Sequence, residues 1–339
     1  MEILFDINHP VDINFFKNSM LTLKAEGHNI NIIYRDRGKL EKILRYELDM
    51  FPIQEIGKHE KGGFFRKIVA QLKRDRRIIS FIKKNKIDLV VCFGATSAIS
   101  SWFCRKPYLA FDDDFEYKIP FYHANWFSTK HIYPDMIDYS NSKTVKYHGF
   151  KELAYLHPKY LNVSNEILNS YSVKPNNYVF SREISNVSLN YKNSNIILDQ
   201  LIEIIQKKGL TLLISLENKE MHQFYLDKGC VVLEEPVADI YSLMYYSLFA
   251  ISSGDTVARE TALLGIPTIY TGGREMVVNK DLVKAGSMFE LTDVKKIVEL
   301  IENITIEKKQ DIQNNVLNLV ENEWDDTTKV ILNQINAFK

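Results

Sequence analysis

Short segments that are apolar at nearly every position, rather than at every second one, recur along this chain between stretches of helical spacing. Asp88–Phe93 (DLVVCF), Leu210–Ser215 (LTLLIS) and Leu248–Ser252 (LFAIS) are the clearest. A strand that is apolar on both faces has to be covered on both faces, and intervening helices supply the cover. The pattern therefore restricts the chain to parallel sheets of the α/β class. In the first half the strands read as Ile3–Ile7, Asn29–Tyr34, Met50–Ile56, Asp88–Phe93 and Tyr108–Phe111, with helices over 12–26, 37–46, 64–85 and 95–104. Pro158, Pro175, Asn176 and Asn177 interrupt the alternation, which resumes with strands at Tyr178–Ser181, Leu210–Ser215, Val231–Leu233, Leu248–Ser252 and Thr268–Tyr270. Helices are expected over 194–208, 237–246, 255–264 and 307–337. A chain of 339 residues exceeds one ordinary core, so two doubly wound domains are expected. The predicted division is 1–150, a linker 151–177, a second domain 178–306, and C-terminal helices 307–339 able to cross back onto the first domain.

Composition removes several classes. The 43 basic and 43 acidic residues balance, which argues against a dedicated nucleic-acid binder. Cys92, Cys104 and Cys230 form no CxxC pair and have no His at zinc-ligand spacing, so reduced thiols are expected. No apolar stretch reaches the roughly 18 residues of a membrane span. The first residues read as a strand rather than a secretory signal, and a cytoplasmic location is expected.

Parallel sheets bind ligands beyond the carboxyl ends of their strands, so the residues just after each strand carry the functional reading. In Ser252–Pro267 (SSGDTVARETALLGIP) a strand stops at small polar residues and a helix begins near Asp255 or Thr256. Ser253, Gly254, Asp255 and Thr256 would let phosphate oxygens approach backbone N–H groups at a helix N-terminus. Glu260, about one turn in, is placed to accept from ribose hydroxyls; the competing reading makes Asp255 an N-cap and Glu260 a solvated side chain. Arg182, after Tyr178–Ser181, and Gly272-Gly273-Arg274, after Thr268–Tyr270, suit phosphate contact. After the first strand come Asn8, His9, Pro10 and Asp12. A neutral His9 is a candidate base, and Asp12 a candidate catalytic residue or helix cap. Asp113, Asp114 and Glu116 follow another strand; clustered carboxylates raise one another's pKa, which makes one of the three a further candidate base and could also suit a metal, the alternative being a solvated acidic loop. Finally, 58–86 carries eleven Lys/Arg against two acids, interleaved with Phe64, Phe65, Ile68, Val69 and Leu72, a pattern of helices that lie on anionic membranes.

These motifs carry a resemblance. The small-residue turn, Glu260 and Ala262-Leu263-Leu264-Gly265-Ile266-Pro267 resemble the nucleotide-binding segment of GT-B glycosyltransferases and of UDP-N-acetylglucosamine 2-epimerases. Phe5–Pro10 with Phe15-Phe16, Ile56–His59, Leu72–Asp75, Phe93-Gly94 and Gly149–Pro158 (GFKELAYLHP) are together similar to a bacterial and archaeal domain-of-unknown-function family of predicted glycosyltransferases. The chain departs from that pattern at Asp12, where a His is common, and at Arg182–Ser188, where an aromatic-rich stretch ending in His-Asp is common. The resemblance implies a GT-B fold, two Rossmann-like domains whose parallel sheets face an interdomain cleft. It also implies transfer of a sugar from a UDP-linked or other nucleotide-linked donor to a saccharide or lipid-linked acceptor in surface-polysaccharide or glycolipid synthesis. No metal and no cofactor beyond the nucleotide-sugar substrate are expected. Lys151 and Glu152 are expected to order domain closure or cap a helix. The alternatives are a 2-epimerase, which needs no acceptor, and a non-catalytic nucleotide-sugar-binding subunit.

Overall fold

A computed structural model of the chain describes residues 1–58, 63–183, 194–217, 219–234, 237 and 239–339. His59, with the rest of 59–62, and the segment Ile184–Ser188 lie outside the described residues. The chain divides into two compact units, Met1–Tyr155 with Trp324–Lys339, and Leu156–Glu323.

In the first unit the strands β1 (Glu2–Ile7), β2 (Asn29–Asp36), β3 (Ile53–Lys58), β4 (Leu89–Phe93), β5 (Tyr108–Phe111), β6 (Lys130–Pro134) and β7 (Thr144–Tyr147) form one parallel sheet, ordered β3-β2-β1-β4-β5-β6-β7. Its helices are α1 (Pro10–Ala25), α2 (Leu40–Leu48), α3 (Phe64–Lys84), α4 (Ala98–Phe103) and α5 (Lys118–Phe127). Both faces are filled, as continuously apolar strands require. Ile78 and Ile82 of α3 pack on Leu4, Ile33, Val90 and Cys92. Phe15 and Phe16 of α1 meet Phe5 and Phe111 edge-to-face at 5.2–5.7 Å.

After the one-turn α6 (Leu153–Leu156), the second unit builds a parallel sheet ordered β10-β9-β8-β11-β12-β13 from β8 (Tyr178–Glu183), β9 (Thr211–Leu216), β10 (Val231–Val232), β11 (Phe249–Ser252), β12 (Thr268–Tyr270) and β13 (Met288–Glu290). The helices are α7 (Ser194–Lys207), α8 (His222–Asp227), α9 (Ile240–Tyr245), α10 (Asp255–Leu263), α11 (Lys280–Lys284), α12 (Val294–Glu302) and α13 (Ile306–Asn322). Gly265 ends α10 at φ +73, and a Cβ there would stand 2.5 Å from Gln313 Cα; glycine satisfies both the left-handed turn and the close approach of α13. Strand order reverses between β1 and β4 and between β8 and β11, which are the topological switch points of the two sheets.

The structure adds to the sequence reading at three points. Strands β6, β7 and β13 and helices α5, α8, α11 and α12 lie where the sequence predicts no element; in β6 and β7 Lys130, His131 and Lys146 break the apolar signal. The expected C-terminal helices are two, α13 and α14 (Thr327–Asn336). Between them Trp324 packs edge-to-face on Phe150 at 4.9 Å, and the His148 N–H donates to Asp325 at 2.7 Å. Asp326 then caps α14, its side chain accepting the Lys329 N–H at 3.1 Å. The stretch 151–177 is no free linker, since 151–155 belongs to the first unit and the remainder to the second.

Candidate functional site

In the second unit the end of β8, where Arg182 is a strand residue rather than the start of a loop, is stitched to the turns after β11 and β12. The Ser253 N–H donates to the Arg182 carbonyl at 3.2 Å, and the Thr271 N–H to the Ser252 carbonyl at 2.9 Å. Gly272 is required by this seam, because a Cβ there would lie 2.5 Å from the Ser253 carbonyl oxygen. The N-cap of α10 is Gly254, in an extended conformation and without a side chain. The Asp255 cap reading is thereby corrected: Asp255 is the first helical residue, accepting from the Tyr270 hydroxyl and pairing with Arg274 Nη1 at 3.1 Å. Arg182 donates from Nη1 to Ser215 Oγ at 2.6 Å. Ser253 and Asp255 are buried, whereas Gly273 is exposed.

Glu260 is buried, not solvated, and its Oε1 accepts from the Tyr241 hydroxyl at 3.3 Å. The sequence does not single out Tyr241, because nothing about an α9 tyrosine announces a partner 19 positions on.

In the first unit the β1–α1 turn is a reciprocal cap. His9 is the N-cap of α1, Pro10 is its first residue, and His9 Nδ1 accepts the Val11 N–H at 3.3 Å. Asp12 Oδ2 accepts the N–H groups of Asn8 and His9 at 2.8 and 3.0 Å. Desolvation, then the charges of Arg37 and Lys151, bring the pKa of His9 down to about 4, so the ring is neutral near pH 7. With Nδ1 engaged as an acceptor, the neutral ring carries its proton on Nε2. The base expected at His9 is thus a hydrogen-bond donor in this geometry. Burial pushes the Asp12 carboxyl up to about 7, the two backbone donors opposing it only in part.

The acidic run after β5 separates into unlike groups. Asp112 Oδ1 accepts the N–H groups of Asp113 and Asp114, shaping the turn. Asp113 forms a buried ion pair with Lys151 at 2.8 Å. Asp114 is half-buried and Glu116 exposed. The Lys151 ammonium also stands 5.1 Å from the Phe93 ring at the end of β4 and acts on both His9 and Asp12. Lys151 belongs with these residues rather than to a helix cap, and its only signal was the GFKELAYLHP segment.

Beneath these loops Arg74 forks onto Asp6, with Nη1 to Oδ2 at 3.1 Å, while its Nε donates to the Ile56 carbonyl at 2.9 Å. Thr96 and Ser97 add hydroxyl bonds to Asp6, and Asn8 Nδ2 donates to Thr96 Oγ1 at 2.8 Å. Burial alone would raise the Asp6 pKa, but Arg74, Ser97 and Thr96 more than offset it and hold the carboxylate below its ordinary value. Arg74 is 2% exposed, so the basic face expected of 58–86 does not include it.

Residues 133–338 match the family model described as Protein of unknown function (DUF354). The chain belongs to that family. The uncharacterized protein MJ0665 of Methanocaldococcus jannaschii is 24% identical over 319 residues, covering 89% of this chain and 91% of its own. Among solved structures, an S. aureus MnaA–UDP complex aligns with a TM-score of 0.74 at 13% identity, covering 100% of this chain and 97% of that one. A Methanocaldococcus jannaschii UDP-GlcNAc 2-epimerase in complex with UDP-GlcNAc and UDP aligns at 0.71 and 14%, covering 99% and 100%. These likenesses establish the GT-B fold of two parallel-sheet α/β domains.

Proposed function

We propose that this chain is a nucleotide-sugar glycosyltransferase. Leu156–Glu323 holds the donor, and the β1, β4 and β5 ends of the first unit act on the acceptor. The carrying observation is Glu260, a buried carboxylate fixed by Tyr241 within a helix whose N-cap is a bare glycine, with Arg182 at the end of β8 and Arg274 after β12. That set matches a nucleoside diphosphate: a carboxylate for ribose hydroxyls, and N–H groups with two guanidinium groups for the diphosphate. The fold likeness to proteins solved with UDP or UDP-GlcNAc supports the same ligand class.

In the reaction the acceptor oxygen bonds to the anomeric carbon as the bond from that carbon to the diphosphate oxygen breaks. The nucleoside diphosphate leaves with the electron pair, stabilised by Arg182, Arg274 and the α10 N-terminus. Asp12 takes the acceptor proton, since a carboxylate of pKa about 7 is matched to that task. His9 Nε2–H orients the acceptor. The acceptor is a saccharide or lipid-linked saccharide of the kind used in surface polysaccharide and glycolipid synthesis.

Titration calorimetry with UDP checks the donor half. Glu260→Gln keeps an acceptor for Tyr241 and is expected to weaken binding roughly 10- to 100-fold, the worth of a charge-assisted hydrogen bond. Unchanged affinity removes the ribose role. The fold shared with a UDP-GlcNAc 2-epimerase favours one second reading: epimerisation without acceptor. Conversion of UDP-GlcNAc alone selects it, and acceptor-dependent release of nucleoside diphosphate selects transfer.

A further inference from the structure

Helices α3, α4 and α5 of the first unit pack side by side and carry on their outer surface side chains that water does not favour. Trp102 is 61% exposed, Trp126 70% and Ile119 85%, with Phe103, Val69 and Leu72 exposed beside them. Their placement is regular. Val69, Leu72, Lys73 and Arg76 follow one face of α3, and Ile119 and Trp126, seven residues apart, share a face of α5. The Trp102 ring meets Phe127 at 5.8 Å, and the two tryptophans line one groove with Arg105, Lys106 and Lys143. Lys83 Nζ stands 6.0 Å from the Phe103 ring. Arg76, Arg77, Lys83, Lys84 and Arg105 are exposed, and among the described residues of 63–106 the one exposed acid is Asp88.

We propose that this three-helix face is a docking surface for an anionic lipid bilayer, with Trp102, Phe103, Ile119 and Trp126 entering the headgroup–acyl boundary and the α3 cations contacting the headgroups. Large amphipathic aromatics ringed by Lys and Arg are the composition of interfacial helices, because the rings gain from the acyl boundary while the cations gain from the anionic surface. A second copy of this chain would meet the same cations and be repelled by them. No described helix is long and apolar enough to cross a membrane, so the contact is peripheral. The assignment does not depend on the transferase reading.

The experiment is co-sedimentation of the full chain with vesicles of phosphatidylcholine containing about a quarter phosphatidylglycerol, at ~0.01 M salt, where screening reaches only beyond about 30 Å. Pure phosphatidylcholine vesicles serve as the control. The chain is expected to sediment with the anionic vesicles, to be released at ~1 M salt, and to remain largely in solution with the control. Of the three tryptophans, only Trp324 is buried, so a blue shift of tryptophan emission on binding reports Trp102 and Trp126. Trp102→Ser with Trp126→Ser is expected to lower partitioning roughly ten-fold or more per ring. Arg76→Gln, Arg77→Gln and Lys83→Gln should each lower it about five-fold. A circular-dichroism melt identifies any variant that fails to fold, and the emission shift of the unsubstituted chain then decides by itself. Failure to sediment with anionic vesicles at low salt overturns the proposal, as does sedimentation without a blue shift. So does a dimer in analytical ultracentrifugation that the tryptophan substitutions dissociate.

Discussion

Asp12→Asn is expected to lower turnover by about 10²–10⁴-fold, the worth of a general base, with UDP affinity unchanged. Asparagine still offers one oxygen to the Asn8 and His9 N–H groups, which in the native protein both fall on Asp12 Oδ2, so the α1 cap persists. The rate profile of the native protein should rise with pH through about 7 as Asp12 ionises, and that limb should vanish in the variant. Stability moves the opposite way. A carboxyl whose folded pKa is raised from 3.8 to about 7 favours the folded state fully below pH 3.8, and that advantage is lost as pH rises to about 7. The loss is of order a few kcal/mol, so Asp12→Asn should gain stability over the native chain at pH 8 and lose the gain near pH 4. Glu183, raised to about 7 by burial, acts in the same window, and only the difference between the two proteins isolates Asp12. His9→Ala should slow turnover while keeping the pH limb, since the ring is a donor here and not the base. If His9→Ala removes the limb and Asp12→Asn does not, the two roles are exchanged.

The second large effect is on stability. Arg74→Met should cost about 3–5 kcal/mol in chemical denaturation near pH 7, because it strands Asp6, a fully buried carboxylate, without its counter-ion. The Ser97 and Thr96 hydroxyls remain but carry no charge. Replacing both partners, Asp6→Asn with Arg74→Met, should recover much of the loss, and the double-mutant cycle measures the coupling. Asn8 is tied to Thr96, so the single variant should also loosen the turn that carries His9 and Asp12. An Arg74→Met melt indistinguishable from the native one would mean that the pair contributes nothing.

Much of the molecule follows from local pattern. Runs such as DLVVCF fix β4 because only a doubly covered parallel sheet buries both faces of such a strand. Ser252–Pro267 fixes β11, α10 and β12, because small residues, a glycine stop and Ile-Pro punctuate the chain at those points. The placement of Glu260 one to two turns into α10 was legible for the same reason. Segments with mixed polarity gave no such signal. His131 is wholly buried in β6 beside Asp112 at 3.6 Å, a burial that its own neighbours in sequence do not announce.

By itself, then, the sequence determined the class of fold, most of the strands and the loops on which ligand chemistry sits, because helix and strand periods and turn chemistry are properties of adjacent residues. The tertiary structure alone decided which charges meet. Arg74 reads as one more cation of a basic helix, yet it is buried on Asp6, 68 positions away, and Lys151, which reads as a residue ordering domain closure or a cap, pairs with Asp113. Trp324, just past α13, packs on Phe150. Each of these is a contact between residues far apart along the chain. Its energy comes from charge pairing that offsets the cost of desolvation, or from aromatic packing, in a place that exists only once both segments are folded, so no local pattern encodes it.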